Sequence, residues 1–196
     1  LHPMFMAEHT ATDISQLHDY VSNFSPIAIG EIGLDFYLEH HDKSKQIALF
    51  EQQLELAVKF DLPVILHVRK AHDVVIQLLK KHRVKGGIVH AFSGSHQQAL
   101  LYIQLGFLLG IGGTVTYDKA TRIRQLFSQL PLSAIARETD APDMPLQGQR
   151  SQRNSPESLI PILGSLADLR TEAPDSIAKI TTHNVTQLFA LPSSSK

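Results

Sequence analysis

The run IAIGEIGLDFY, residues 27–37, places two carboxylates, Glu31 and Asp35, within or just after an apolar segment. Isoleucine-rich runs bounded by glycine are typical of buried strands, so we predict a strand over residues 27–35. An uncompensated carboxylate on a buried strand is costly. The Glu31 side chain is therefore expected to have a partner, and a functional site would supply one.

Four further apolar runs repeat this pattern along the chain. They are LPVILH (62–67), GGIVH (86–90), GFLLGIGG (106–113) and LSAIARETD (132–140). Segments with helical periodicity or helix-start signals lie between and after them, at 43–60, 72–82, 96–105, 119–130, 156–170 and 174–190. Because parallel strands need a crossover of about this length, alternating strands and helices predict an α/β fold with five parallel strands.

Composition sets limits on the class of protein. The chain has 196 residues, 43% of them hydrophobic and 19% charged, which predicts a single domain over residues 1–196. A net charge of -1 provides no overall basic field for nucleic acid, and the lack of cysteine excludes thiolate metal sites. No apolar run is long enough to span a membrane, so the sequence predicts a cytoplasmic protein without a membrane partner.

Polar residues able to bind a metal occur at or near the ends of four of the five predicted strands. They are Glu31, His67, His90 and Asp140. Because the carboxyl ends of parallel strands gather at one face, these side chains are expected to converge there. Two imidazoles and two carboxylates suit Mg²⁺, Mn²⁺ or Zn²⁺, one or two ions per site. Each residue taken alone could instead be a structural, hydrogen-bonded group.

The remaining histidines do not lie at the ends of the five predicted strands. Apart from His2, they fall in predicted loops or helices, and we expect them to be solvated surface residues. They are His9, His18, His40, His41, His72, His82, His96 and His183.

Several blocks of the chain resemble one known family. GEIGLDFY, LPVILHVRKAHD, GGIVHAFSGS and ETDAPDMP are similar to four successive signature blocks of the TatD family of metal-dependent hydrolases and DNases, and QRNSPE (152–157) resembles that family's late loop. The resemblance implies a (β/α)₈ TIM barrel and a deoxyribonuclease or phosphodiesterase that uses metal-activated water. It also implies that Glu31 is a bridging, catalytic carboxylate and that His67 and His90 bind the second metal. Asp140 would bind the first metal and handle the proton of the attacking water.

The start of the chain departs from the family pattern. No His-x-His pair precedes the strand of Glu31, and Leu1-His2-Pro3 resembles the end of the family's third strand. We therefore expect an N-terminally incomplete barrel with about five of its eight strands, and possible self-association through open strand edges. A catalytically crippled fragment or binding module is the alternative that follows from this departure.

Candidate substrate contacts lie beside the predicted strand ends. Arg69 and Arg153 are the cations that would face substrate phosphates, and His2 is a further contact. Ser93 and Gly94 precede a predicted helix, whose N-terminus would favour an anion, although a helix cap is an equal alternative. The expected substrate is DNA or another phosphoester, and a barrel hydrolase of amide or ester substrates is a weaker possibility. Asp35 is expected to position the loop after its strand.

Overall fold

The computed structural model describes residues 1–37 and 42–192. Its five strands are β1 Ile29–Asp35, β2 Val64–Arg69, β3 Gly87–Val89, β4 Phe107–Ile111 and β5 Ile135–Arg137. Its helices are α1 Asp13–Phe24, α2 Lys43–Lys59, α3 His72–His82, α4 His96–Gln104, α5 Thr121–Gln129, α6 Leu159–Ala167 and α7 Pro174–Leu188. Short 3₁₀ turns occupy Pro3–Phe5, Gly113–Thr116, Leu132–Ala134 and Pro156–Ser158. The predicted alternation of strands and helices is confirmed.

A helix and a short 3₁₀ turn near the start were not predicted from the sequence. Helix α1 was not identified from the sequence, and its one buried residue is Val21. The segment Leu1–Pro3, which resembled a strand end, leads into a 3₁₀ turn that Pro3 begins. Proline suits the first helical position because its missing N–H would have no intrahelical partner there.

The chain divides into two compact units, Leu1–His90 with Gln97–Phe107, and Ala91–His96 with Leu108–Lys196. That all 196 residues act as one domain stays a prediction. So do self-association through strand edges and the cytoplasmic location. Within residues 1–37 and 42–192, none of the helices combines the length and apolar character that crossing a bilayer requires.

In the first unit, β1, β2 and β3 pair in parallel. Gly33 is paired with His67 and Asp35 with Arg69, so these residues share one face of the strands. The opposite face carries Ile32, Leu34 and Leu66, which are fully buried, and α2 packs against β1. The strand register therefore separates an apolar layer under the helices from a layer of polar side chains.

Helix α2 begins where Asp42 caps it. The Asp42 Oδ1 atom accepts hydrogen bonds from the N–H groups of Ser44 and Lys45 at 2.9 and 3.2 Å, which satisfies two of the open donors of the first turn. Farther along, Phe50 and Leu54 are fully buried on the inward face of the helix. The buried apolar side chains fix the position of α2 against β1. They also fix the position of Gln46, a buried polar residue of the same helix.

In the second unit, β4 and β5 pair in parallel, with Leu109 beside Ile135. Helix α7 packs against β5 and is fixed to it by Asn184, whose Nδ2 atom donates to the carbonyl oxygens of Leu132 and Ile135 at 2.7 and 2.9 Å. Several fully buried apolar side chains form the core of this unit: Leu109, Phe127, Ile135, Ile162, Leu166 and Ile177.

The expectation of surface histidines is wrong for His72. This residue begins α3, is 8% exposed, and its Nδ1 atom lies 3.2 Å from the Tyr102 hydroxyl of α4. Burial, with a smaller contribution from the negative charge of Asp73, raises the pKa of Tyr102 far above its ordinary value, so the hydroxyl stays protonated. His40 and His41 lie outside the described residues.

Candidate metal centre

The acidic residue Glu31 lies inside a strand. Glu31 is the third residue of β1, and the strand continues to Asp35, which ends it. His67 lies within β2 in the same way, two residues before Arg69. The polar face that these strands share therefore extends over several residues, because side chains two positions apart point to the same side.

Three side chains of the first unit form a cluster of potential metal donors. The Glu31 Oε2 atom lies 3.4 Å from His2 Nε2 and 3.8 Å from His67 Nδ1. One donor atom from each of the three residues lies within 4.8 Å of the others, a spacing that could hold one cation. Two imidazoles and a carboxylate are donors that suit Zn²⁺ or Mn²⁺, and the carboxylate also suits Mg²⁺.

Asp35 determines which nitrogen of His67 can bind a metal. The Asp35 Oδ2 atom lies 2.9 Å from His67 Nε2, so Nε2 is the protonated nitrogen that donates to the carboxylate. The unprotonated Nδ1 then has its lone pair on the side of Glu31. A carboxylate that fixes the tautomer of a ligating histidine is common in metal sites, and it fits this donor set to a divalent cation.

His2 presents a different chemical group. Its Nδ1 atom accepts a hydrogen bond from the Met4 N–H at 3.2 Å, so Nε2 carries the proton of the neutral ring. His2 therefore offers an N–H donor beside Glu31 in this arrangement, which agrees with a substrate contact better than with a metal ligand. His9 supports this segment, because its Nε2 atom lies 2.9 Å from the His2 carbonyl oxygen.

The ionisation of Glu31 and His67 suits metal binding. Burial acts to raise the pKa of Glu31, but the hydrogen bond from His2 and the attraction of His90, His2 and His67, which are protonated in the acidic range where Glu31 titrates, together hold it below its ordinary value. Burial lowers the pKa of His67, and the opposing hydrogen bond to Asp35 does not offset this. At neutral pH Glu31 is therefore an anion, and His67 is neutral with a free lone pair.

A fully buried hydrogen-bond network holds Asp35. Its backbone N–H donates to Gln46 Oε1 at 2.8 Å, and its carbonyl oxygen accepts from Gln46 Nε2 at 3.0 Å. Its Oδ1 atom accepts from the Tyr37 N–H at 3.0 Å, which supports the predicted role in the following loop. The sequence analysis missed both the contact with His67 and the role of Gln46, which lies on α2 and is 1% exposed. The signal available for Asp35 was its place on the predicted strand, four residues beyond Glu31 and therefore on the same face.

Strands β1 and β2 approach each other closely at Gly33. This residue has φ +142°, and a Cβ atom there would lie 2.1 Å from the His67 carbonyl oxygen. Such a contact is impossible without moving the backbone of one strand. The relative position of Glu31 and His67 therefore depends on Gly33, which has no side chain that could bind a metal or substrate.

His90 follows β3 directly, as the sequence predicted. Its backbone N–H donates to the Leu66 carbonyl oxygen at 2.9 Å, which extends the parallel ladder by one residue. Its charge is also one of those that lower the pKa of Glu31. Its role as a ligand stays a prediction.

In the second unit, Asp140 lies three residues beyond β5, in a tight turn with φ +59°. The buried Asn154 of the QRNSPE motif holds this turn, because its Nδ2 atom donates to the carbonyl oxygens of Thr139 and Asp143, each at 2.7 Å. The Asn154 Oδ1 atom accepts from the Ser158 hydroxyl at 2.6 Å. One amide side chain thus connects the Asp140 turn to the start of the next helical segment.

Glu138 is a second residue that the sequence analysis missed. Its Oε1 atom accepts from the Ala91 N–H at 2.6 Å, and Ala91 has a φ of +43° in the loop that follows His90. The carboxylate lies directly over Gly110, where a Cβ atom would be 2.6 Å from it. Glu138 therefore positions the loop that carries Ser93 and Gly94.

The predicted substrate contacts fall in different places. Arg69 lies beside the cluster, with Nη1 3.3 Å from Asp35 Oδ2. In the second unit, Ser93 and Arg153 are exposed and Gly94 is buried. The Ser93 carbonyl accepts from Arg122 Nη2 at 2.7 Å, so Arg122 is a further cation at this loop that the sequence analysis did not identify.

Parallel strands of an α/β fold that carry carboxylate and imidazole donors of this kind are typical of the class of metal-dependent hydrolases. The family model described as TatD related DNase matches residues 1–190, and the chain belongs to this family. The predicted α/β fold of the TIM-barrel hydrolase type is confirmed. The resemblance noted in the sequence blocks is confirmed with it.

Two Escherichia coli comparisons agree with this assignment. The metal-dependent hydrolase YjjV of strain K12 is 42% identical over 195 residues, which cover 98% of this chain and 75% of YjjV. A crystal structure of YjjV matches with a TM-score of 0.93 at 41% identity and the same coverage of both chains. A protein of Erwinia billingiae described as the 3'-5' ssDNA/RNA exonuclease TatD is 32% identical over 98% of this chain and 76% of its own length.

Proposed function

We propose that this metal-dependent hydrolase is a phosphodiesterase that acts on DNA or a closely related phosphoester. The observation that carries the proposal is the cluster of His2, Glu31 and His67, with the Asp35 carboxylate behind His67. The exonuclease name of the Erwinia billingiae relative supports the choice of a phosphodiester over an amide or ester.

In this proposal, Glu31, His67, His90 and Asp140 hold one or two divalent cations. A bound cation supplies a water of lowered pKa and polarises the phosphoryl oxygen. Glu31 provides an anionic ligand because its pKa is low, and His67 provides the Nδ1 lone pair that Asp35 leaves exposed. Asp140 accepts the proton of the attacking water. The assignments of His90 and Asp140 rest on their positions after β3 and β5.

The substrate phosphate would be held by groups that donate hydrogen bonds or carry positive charge. His2 directs an Nε2–H to the side of Glu31, and Arg69 brings a guanidinium group that Asp35 partly orients. Ser93, Gly94 and Arg153 are the other substrate contacts of this proposal. Charge-assisted hydrogen bonds of this kind are worth about 1.5–3 kcal/mol each, enough to affect KM strongly.

The test uses the purified chain with added Mg²⁺, Mn²⁺ or Zn²⁺. Metal binding is measured by calorimetry, and hydrolysis is followed with a short single-stranded DNA, with bis(p-nitrophenyl) phosphate, and with amide and carboxylic ester substrates. We expect metal-dependent hydrolysis of the two phosphodiesters alone. The change His67→Ala should weaken metal binding and lower the rate of hydrolysis together, because it removes one of the four proposed ligands.

His82→Ala is the matched control. His82 is a half-buried histidine at the end of α3, its Nε2 atom contacts Glu51 at 3.2 Å, and it is not part of the cluster of His2, Glu31 and His67. This variant should keep wild-type metal affinity and rate. Amide or ester hydrolysis without phosphodiester hydrolysis would refute the proposal, and metal binding without any hydrolysis would favour the binding-module alternative.

A further inference from the structure

An exposed aromatic side chain stands beside the metal cluster with two cations over its ring. Tyr37 is 53% exposed although it is a large, partly apolar residue. The Arg69 guanidinium carbon lies 4.3 Å from the ring centroid, and the Lys70 Nζ atom lies 4.7 Å from it. This group of Tyr37, Arg69 and Lys70 is called the aromatic platform below. The proposed chemistry assigns a role to Arg69 and none to Tyr37 or Lys70.

The platform is tied to the candidate ligand His67 through one carboxylate. Asp35 Oδ1 accepts from the Tyr37 N–H at 3.0 Å, while Asp35 Oδ2 contacts both Arg69 Nη1 at 3.3 Å and His67 Nε2 at 2.9 Å. Along β2, Arg69 is two residues beyond His67, a separation of about 6.6 Å at the usual rise per residue. The contacts of Asp35 therefore fix the position of the platform beside His67.

The two kinds of group in the platform match the two parts of a nucleotide. Flat aromatic rings and guanidinium planes stack on nucleobases of any sequence, and neighbouring cations neutralise the phosphates between them. A bare phosphoester would use the cations alone, whereas a nucleotide could also contact the exposed ring of Tyr37. The combination favours a single-stranded nucleic acid whose bases are free to stack.

We infer that the aromatic platform is a nucleobase-stacking subsite, which holds the base next to the phosphate undergoing hydrolysis. The inference rests on the proposed phosphodiesterase function and specifies its substrate as a strand with unpaired bases. Tyr37 supplies the stacking surface, and Arg69 and Lys70 supply charge for the adjoining phosphates. A strand without bases should consequently bind more weakly than a normal strand of equal charge.

Tyr20 provides a matched control in the same unit. It is 56% exposed, nearly the same as Tyr37, and its ring contacts Phe24 at a centroid distance of 4.6 Å. In the part of the chain that the structure describes, no lysine or arginine is recorded over the Tyr20 ring. Changing Tyr20 thus removes an equally exposed tyrosine that lies on α1, away from the donor cluster.

The experiment measures binding of the metal-free protein to two fluorescent decamers by anisotropy at fixed salt. One is oligothymidylate, and the other is an abasic strand with the same phosphates. The wild type should bind the thymidylate about tenfold more tightly, since stacking of one base contributes roughly that much. Tyr37→Leu should abolish the difference, whereas Tyr37→Phe and Tyr20→Leu should retain it.

Three results would overturn the inference: no binding of either strand by the wild type, equal wild-type affinity for both, or undiminished discrimination by Tyr37→Leu. Hydrolysis of bis(p-nitrophenyl) phosphate is measured in parallel, because that small substrate carries no base. Its hydrolysis together with any of these three results would reject the base subsite and keep the phosphodiesterase. No hydrolysis of any phosphodiester with any of the three metals would reject the phosphodiesterase itself, and the subsite that rests on it.

Discussion

The two units position their candidate catalytic residues by different means. In the first unit, Glu31 and His67 lie on paired strands, and a single buried carboxylate, Asp35, orients the imidazole. In the second unit, Asp140 lies in a turn beyond the strand end, with a left-handed backbone conformation. That turn depends on the side chain of Asn154, which bonds to backbone atoms on both sides of it.

This difference has consequences for stability. A strand ladder fixes the backbone at every residue, so its side chains need only local orientation. A turn lacks such a ladder, and its conformation is maintained by a few side-chain hydrogen bonds. We therefore expect single substitutions to disturb the Asp140 turn more than the strand-borne donors, and the following predictions test that expectation.

The largest effect is expected for Asn154→Ala. The change removes the hydrogen bonds of the buried Asn154 side chain to the carbonyl oxygens of Thr139 and Asp143 and to the Ser158 hydroxyl, at a cost of about 3 kcal/mol in the free energy of unfolding if each bond contributes about 1 kcal/mol. The hydrolytic rate should also fall, because Asp140 loses its fixed conformation. Urea unfolding and steady-state kinetics provide the two measurements.

Asn184→Ala is the appropriate control for that change. Asn184 also donates to two backbone carbonyl oxygens of the second unit, those of Leu132 and Ile135, which lie before β5 and at its first residue rather than after it. This variant should lose stability while the folded fraction keeps its rate. A wild-type rate in Asn154→Ala would show that the turn does not need its amide support.

Asp35→Asn should have the next largest effect, a 10- to 100-fold loss of metal affinity. The neutral amide no longer stabilises the His67 tautomer that leaves Nδ1 free. Calorimetry measures the affinity, and nitrogen chemical shifts of His67 in the metal-free protein report the tautomer. Asp61→Asn, at an exposed carboxylate paired with Lys85, should change neither quantity. Unchanged shifts in Asp35→Asn would contradict the orienting role.

Gln46→Leu should reduce the free energy of unfolding by about 1.5 kcal/mol, because two buried backbone groups of Asp35 lose their partner. A smaller loss of metal affinity should accompany it. Gln53→Leu on the same helix removes an equally buried amide that contacts the carbonyl oxygens of Leu1 and Leu49 and not Asp35. If both variants bound metal equally well, Gln46 would be a purely structural residue.

The smallest effect is a dependence of stability on pH. The pKa of His67 in the folded chain lies below its ordinary value of 6.5, so at intermediate pH the unfolded chain binds a proton that the folded chain does not. Stability should therefore fall as pH decreases below 6.5, with a slope of at most about 1.4 kcal/mol per pH unit from this group. Urea unfolding of metal-free wild type and His67→Gln between about pH 5 and 7 isolates the contribution. Parallel curves for the two proteins would contradict it.

Much of the fold could be predicted because its signals are local. Short apolar runs bounded by glycine or proline predicted all five described strands, and α3 begins and ends at the expected residues. Helix α1, whose one buried residue is Val21, was not predicted. The polar support of the site could not be predicted, since Gln46 meets Asp35, and Glu138 meets Ala91, only after the chain has folded. Asn154 was noticed as part of a motif, but its five residues of context do not reveal which carbonyl groups it binds.

The close approach of β1 and β2 at Gly33 affects how genetic variants of this protein should be interpreted. Every amino acid that could replace glycine there adds a Cβ atom, which would collide with the His67 carbonyl. A missense allele at this codon would therefore act as a ligand-loss allele while the codons for Glu31 and His67 remain intact. Screening natural variants only at the ligand positions would classify such an allele as functional, so codon 33 belongs among the positions that such a screen inspects.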